Sequence, residues 1–165
     1  MKYQEKKTMK PTEDEKKQLL GHFAYEVRGM HGSYSEMIKH HISVPNSNEI
    51  VVIEDFLISF IVRIRTLYEF FYESGNGDKA YAVHYLPNWK IKKPLENMKE
   101  WKIQINNYLL HLSYNRVTGK AGWGYKKYTP NILYNHFRDL VIDFLNKLSE
   151  EYMNEGLQRL LKELK

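Results

Sequence analysis

The segment at about residues 48–73 places the strongest constraint on the fold. Its apolar residues recur at helical spacing and cover more than one face of a helix; they are Ile50, Val51, Ile53, Phe56, Leu57, Phe60, Ile61, Ile64, Leu67 and Phe71. A helix that is apolar on several sides must be enclosed by other elements. Charged residues interrupt the run throughout its length, which argues against a strand. The sequence therefore predicts a central helix here.

A helix is also predicted before this segment. Thr12 and Glu15 have the spacing of a capping box, in which each side chain accepts a hydrogen bond from the other residue's backbone N–H. The helix should run from Thr12 to about residue 41. Gly29 and Gly32 either weaken this helix or let a neighbouring element approach closely. Residues 1–11 precede the cap and are expected to form a flexible arm.

Two more helices are predicted after an irregular connection. Pro94 occupies a favourable first position for a third helix at about residues 94–117. The pair Thr129–Pro130 repeats this signal and opens a fourth helix that runs toward Leu164, with Gly156 as a candidate break. Four long helices without a strand pattern predict an all-α protein, an up-and-down bundle of four long helices.

Length and composition limit the class of protein. The 165 residues suffice for one domain, expected at residues 12–165. There are no cysteines, which excludes disulfides, thiolate metal sites and a cysteine nucleophile and fits a cytoplasmic location. The charged N-terminal segment lacks the apolar stretch of a signal peptide. The longest apolar run, residues 56–62, is too short to cross a bilayer.

The stretch from Ile105 to Arg116 is where polar chemistry looks arranged. His111 and Asn115 are four residues apart and share one face of the predicted helix. A histidine can move protons near neutral pH, and an arginine can hold a phosphate and stabilise developing charge. His111 and Arg116 would therefore suffice for metal-free RNA cleavage, in which the 2′-hydroxyl attacks the adjacent phosphate. The alternative is a histidine bonded within the bundle and an arginine at a helix C-terminus.

Arg65 is a second candidate because it lies within the most apolar helix, where an unpaired arginine is rarely tolerated. One interpretation is an ion pair with Glu69, four residues later on the same helix. The other interpretation places Arg65 beside His111 as a second phosphate ligand.

The segment Gly119–Tyr128 interleaves aromatic and basic residues, namely Lys120, Trp123, Tyr125, Lys126 and Lys127. Aromatic rings stack on bases and lysines contact phosphates, so this loop suits single-stranded nucleic acid. The net charge of +5 permits such a partner. The alternative is a solvated turn whose Trp123 packs back onto the bundle.

A metal site has little basis in the sequence. Two pairs of potential ligands lie four residues apart, His22 with Glu26 and Glu36 with His40. The carboxylate-rich inner face of a di-iron bundle is missing. We expect no metal and no other cofactor.

The chain resembles a group of small bacterial helical proteins that carry R-N-L-Y-x-F-F and H-L-T-x-x-R patterns. The matching parts are RTLYEFFY (Arg65 to Tyr72), then Trp101, then HLSYNR (His111 to Arg116). The layout of residues 20–145 is similar to the HEPN superfamily, helical proteins of toxin–antitoxin, abortive-infection and CRISPR-linked defence systems. HEPN ribonucleases typically carry R-x(4–6)-H, whereas this chain has the order His111-x4-Arg116.

The resemblance implies two functional hypotheses. The first is a metal-independent endoribonuclease or antiviral defence effector that is active as a homodimer and is paired with an antitoxin or another defence protein. His111 would be the general acid and base, Arg116 and Arg65 the phosphate clamp, and Asn115 a positioning group. The second is a non-catalytic helical module that binds nucleic acid or a partner protein, with Arg65 and His111 in internal hydrogen bonds.

Overall fold

A computed structural model describes residues 11–43, 47–75, 79–106 and 130–165. These residues form five α-helices and one short 3₁₀ helix: α1 (Glu13–Ser43), α2 (Ser47–Tyr72), the 3₁₀ helix (Ala82–His84), α3 (Met98–Ile105), α4 (Pro130–Lys147) and α5 (Glu155–Leu164). No strand occurs within these ranges, so the all-α prediction is confirmed. Among the helices described, none combines the length and apolar character needed to cross a membrane.

The start of α1 agrees with the predicted capping box. The backbone N–H of Glu15 donates to Thr12 Oγ1 at 3.2 Å, and the backbone N–H of Thr12 donates to Glu15 Oε2 at 2.7 Å. Two N–H groups at the helix start, which have no partner within the helix, are therefore satisfied. The bond from the Thr12 backbone holds the pKa of the Glu15 carboxyl below its usual value.

Helices α1 and α2 form an antiparallel pair. Ser33 and Ser59 meet near the middle of the pair, where their hydroxyl oxygens are 3.1 Å apart. Farther along, Phe23 of α1 packs against Phe70 and Phe71 of α2. The pairing of early α1 residues with late α2 residues sets the antiparallel direction.

Helix α2 is the central element, as the sequence predicts. It packs against α1, α3, α4 and the 3₁₀ helix. Its buried residues follow helical spacing and include Phe60, Ile61, Ile64, Leu67 and Phe71. The predicted core side chains at positions 50, 51 and 53 lie outside the described residues.

Helix α3 begins later than predicted. Pro94 does not stand at its first position, because α3 starts at Met98. The residue before it, Asn97, adopts a left-handed conformation with φ 58°, so a helix cannot continue backward through it. The N–H of Leu95 donates instead to the hydroxyl of Tyr72 on α2 at 3.1 Å. The predicted extension of this helix to residue 117 lies outside the described residues.

The predicted fourth helix is divided into α4 and α5, and the break lies before Gly156, which belongs to α5. In the connection, Leu148 and Tyr152 are buried, and the Tyr152 hydroxyl donates to Glu13 at the start of α1. Asn154 then caps α5 by accepting a hydrogen bond from the N–H of Leu157 at 3.0 Å. Tertiary contacts and this cap, and not the glycine, set the break.

Candidate functional site

Arg65 lies on a polar stripe of α2. Its Nη2 is 3.2 Å from Oε1 of Glu69, one helical turn later. The apolar residues between and after them face the core, and those that are buried are Leu67, Tyr68, Phe70 and Phe71. The predicted intrahelical ion pair is therefore present, and the RTLYEFFY segment combines a core face with a charged face.

The Glu69 carboxylate is the centre of a charged cluster. Its side chain is 15% exposed and lies 3.1 Å from the Nζ atoms of both Lys79 and Lys102. Lys102 also donates to Glu73 at 2.6 Å. Burial alone would raise the pKa of Glu69, but hydrogen bonds from Lys79 and Lys102 and the charge of Arg65 hold it below its usual value.

This group, which we name the Glu69 cluster, has more cations than anions. Arg65, Lys79 and Lys102 carry positive charge, whereas Glu69 and Glu73 carry negative charge. Four of these side chains are partly shielded from solvent, and the fifth, Lys79, is more exposed but is paired with Glu69. The unbalanced positive charge favours the approach of an anion.

Arg65 also connects α2 to the end of α3. Its Nε donates to Oδ1 of Asn106 at 2.5 Å, directly after the last residue of α3. With Nε bonded to Asn106 and Nη2 bonded to Glu69, Nη1 of Arg65 makes no hydrogen bond to the part of the chain that the structure describes. The guanidinium thus joins two helices and keeps donors for another acceptor.

Arg65 alone among the predicted site residues lies within the described ranges. The other predicted site residues lie outside the described ranges, so the structure tests neither the catalytic nor the binding role predicted for them. These residues are the catalytic candidates His111, Asn115 and Arg116 and the loop residues Lys120, Trp123, Tyr125, Lys126 and Lys127.

Chain connectivity limits how far His111 can be from Arg65. His111 follows Asn106 by five residues. Each residue extends a chain by no more than about 3.6 Å, so the Cα atoms of Asn106 and His111 are within about 18 Å of each other. Since Arg65 bonds to Asn106, a site that includes both Arg65 and His111 is compatible with the chain length.

Sequence reasoning did not identify the partners of this cluster on α3. Lys102 and Asn106 are four residues apart and therefore share a face, on which Lys102 meets Glu69 and Asn106 meets Arg65. Spacing alone shows that the two share a face, but it does not indicate that this face meets α2.

A histidine of α4 was also missed. Nε2 of His136 is 2.7 Å from the hydroxyl of Tyr72, which accepts the N–H of Leu95. Burial lowers the pKa of His136, and the nearby charge of Asp139 opposes this only in part. The neutral ring can accept a hydrogen bond from the Tyr72 hydroxyl, so these contacts tie α2, α4 and the segment before α3 together.

In both pairs considered as metal ligands, the carboxylate is bound by a basic side chain. Glu26 accepts two hydrogen bonds of 2.8 Å from Nη1 of Arg63. Glu36 accepts a hydrogen bond from Lys39 at 2.5 Å, and its other oxygen lies 3.9 Å from Nε2 of His40. Within the described ranges, no group of three or more histidine, aspartate or glutamate side chains is placed to hold a metal ion.

Trp101, the tryptophan between the two motifs, belongs to the core. It is 2% exposed, and its indole N–H has no acceptor in the described part of the chain. It packs on the buried face of α3 together with Met98 and Ile105. Its indole therefore anchors the helix that presents Lys102 and Asn106 to α2.

Comparison with known proteins gave no relative. No family model matches the chain, and neither a curated protein nor a solved structure matches it.

Proposed function

We propose that this chain is a HEPN-like protein that cleaves RNA without a metal ion, with a phosphate bound at Arg65 and proton transfer by His111. The observation that carries the proposal is the contact of Arg65 with Asn106. This contact joins a partly exposed guanidinium, with Nη1 still available, to Asn106, which precedes His111 by five residues in the sequence. The excess positive charge of the Glu69 cluster supports phosphate binding at the same place.

The proposed reaction uses only side-chain groups. His111 takes the proton of the ribose 2′-hydroxyl, and the 2′-oxygen bonds to the adjacent phosphorus. The bond to the 5′-oxygen breaks, and this oxygen receives a proton from protonated imidazole, leaving a 2′,3′-cyclic phosphate and a 5′-hydroxyl. Arg65 and Arg116 stabilise the charge that builds on the phosphoryl oxygens, and Asn115 orients the phosphate.

The remaining parts of the proposal concern partners. The 119–128 loop would hold single-stranded RNA through its aromatic rings and lysines. The HEPN resemblance implies a homodimer and an antitoxin or other defence partner, and the lack of cysteines fits a cytoplasmic location; all three belong to the same proposal.

A second candidate function is favoured by the bonds that Arg65 already makes. Its ion pair with Glu69 and its bond to Asn106 are also what a purely structural arginine would make. In this alternative the chain is a non-catalytic helical module that binds nucleic acid or a protein partner.

RNA cleavage in the presence of EDTA separates the two functions. We expect the protein to cleave single-stranded RNA to 2′,3′-cyclic products, His111→Ala to lose at least about a hundredfold in rate, and Arg65→Lys to lose about tenfold or more. Arg138→Lys, which changes an arginine paired with the adjacent Asp139, is the matched control and should cleave normally.

The melting temperature of each variant is measured in parallel, so that loss of folding is not mistaken for loss of catalysis. RNA that the folded protein binds but does not cleave would favour the binding module. Full activity in folded His111→Ala would contradict the proposed mechanism.

A further inference from the structure

A cleft that borders the Glu69 cluster and shares Glu69 and Lys79 with it opens between α1, α2 and residues 79–80. Its volume is about 260 Å³. The floor is apolar and consists of Leu19, Phe23, Leu67, Phe70 and Ala80. The rings of Phe23 and Phe70 pack with centroids 4.7 Å apart, so the floor presents aromatic surface supplied by two helices. This volume is just below the range typical of small-molecule sites.

The polar groups at the rim differ in whether they already have hydrogen-bond or ion-pair partners. Both carboxylate oxygens of Glu26 accept from Arg63. The Glu69 carboxylate accepts hydrogen bonds from Lys79 and Lys102 and forms an ion pair with Arg65. The acidic groups at the rim are therefore already neutralised by cations and are poor partners for a further cation.

The available groups at the rim are donors. His22 is exposed and makes no hydrogen bond or ion pair within the described ranges. The Lys79 side chain is 53% exposed and bonds only one carboxylate oxygen there, so its ammonium group keeps hydrogens for a second acceptor. An imidazole and an ammonium group therefore border an apolar floor.

We propose that this cleft binds a small amphipathic carboxylate, with its apolar body on Phe23 and Phe70 and its carboxylate between Lys79 and His22. The positive excess of the Glu69 cluster, which Lys79 shares, matches an anionic head group. The floor matches an aromatic or branched aliphatic body of about ten heavy atoms. This proposal does not depend on RNA cleavage, because it uses neither Arg65 nor His111 as a ligand group.

The first test uses 3-phenylpropionate as the probe and the full chain as the receptor. Calorimetry should give saturable binding of one molecule per chain, with a dissociation constant on the order of 1 mM. In a ¹H–¹⁵N titration, the shifted amides should lie at residues 19–26, 66–70 and 79–80. The neutral isostere 3-phenylpropanamide should bind about tenfold more weakly, since it lacks the charge.

Two variants locate the binding. Lys79→Gln should weaken 3-phenylpropionate binding about tenfold through loss of the ammonium group. Ala80→Leu adds bulk to the floor and should abolish the binding. Lys90→Gln, at an exposed lysine that does not line the cleft, is the matched control and should bind like the parent.

Thermal unfolding tests whether each variant is folded. A variant that does not fold is replaced by His22→Gln, in which we expect the affinity for 3-phenylpropionate to fall about threefold or more. The proposal is overturned if no saturable binding is seen up to 20-fold above the expected dissociation constant. It is equally overturned if phenethylamine binds more tightly than 3-phenylpropionate, or if Lys79→Gln and Ala80→Leu bind like the parent.

Discussion

His136 shows how a single half-buried side chain can make the whole fold sensitive to pH. Its ring is enclosed by α2 and α4, and the Tyr72 hydroxyl lies 2.7 Å from Nε2. Protonation would place a charge where water is partly excluded and would remove the acceptor of that hydrogen bond. Burial accordingly lowers the pKa of His136, against the smaller opposing effect of Asp139.

We expect this histidine to destabilise the fold as the pH falls below about 6.5, which is the pKa of a histidine in the unfolded chain. In that range the unfolded chain binds a proton that the folded chain does not, so the free energy of unfolding rises with pH between the folded pKa and about 6.5. Urea unfolding at pH 7 and pH 5.5 should show a loss of about 1 kcal/mol that is missing in His136→Gln. His22→Gln, at an exposed histidine, should keep the loss; equal pH dependence in His136→Gln and the parent would contradict the prediction.

Helices α1 and α2 are joined by a side chain that crosses a glycine. The guanidinium of Arg63 passes over Gly29 on its way to Glu26, and a Cβ at position 29 would lie 2.8 Å from Arg63 Nε. The same guanidinium lies over the ring of Tyr25, with Cζ 4.7 Å from its centroid. Of the two interpretations of Gly29 in the sequence, close approach of a neighbouring element is confirmed.

A double-mutant cycle tests this contact. In an Arg63→Ala background, Gly29→Ala should stabilise the protein by about 1 kcal/mol, because alanine is the better helix former. With Arg63 present, the added methyl group displaces the guanidinium from Glu26, and the gain should fall by at least about 0.5 kcal/mol. Free energies of unfolding in urea provide the measurement.

Gly32→Ala is the control for this cycle. A Cβ at position 32 meets nothing within 4 Å, so the substitution should stabilise by a similar amount in both backgrounds. If Gly29→Ala behaves in the same way as Gly32→Ala, the close approach of Arg63 has no energetic consequence.

At the scale of the whole molecule, one aromatic cluster joins α1, α2, α4 and the connection before α3. Phe144 of α4 contacts the rings of Phe23 on α1 and of Phe70 and Phe71 on α2. It also meets Trp89, whose indole N–H donates to the backbone carbonyl of Phe71 at 3.2 Å. Residues far apart in sequence thus share one side chain as a packing centre.

Phe144→Ala should therefore destabilise the protein by about 3–5 kcal/mol, because it leaves a cavity among rings that several elements fix in place. Phe144→Leu keeps much of the volume and should cost less, about 1–2 kcal/mol. Ile132→Ala, at a residue of the same helix that is 46% exposed, should change stability by no more than about 0.5 kcal/mol. Urea unfolding of the three variants provides the comparison, and an equal loss in Phe144→Ala and Ile132→Ala would contradict the packing role.

The described part of the structure also shows where sequence reasoning succeeded and where it failed. The cap at Thr12, the central α2 and the ion pair of Arg65 with Glu69 are local, because each rests on residues within a few turns of one helix. The start of α3 was placed wrongly because Asn97 and the bond from Leu95 to Tyr72 depend on a neighbouring helix. For the same reason, the partners of Arg65 and Glu69 on α3 were not predicted.

By itself, the sequence determined that the described part of the chain is helical and that α2 is its central helix, since helical spacing and caps act within a single segment. Only the tertiary structure decided that α3 lies along α2, that Lys79 and Lys102 converge on Glu69, and that an apolar cleft opens beside them. These features depend on contacts between distant parts of the chain, and neither periodicity nor spacing within one helix specifies which faces will meet.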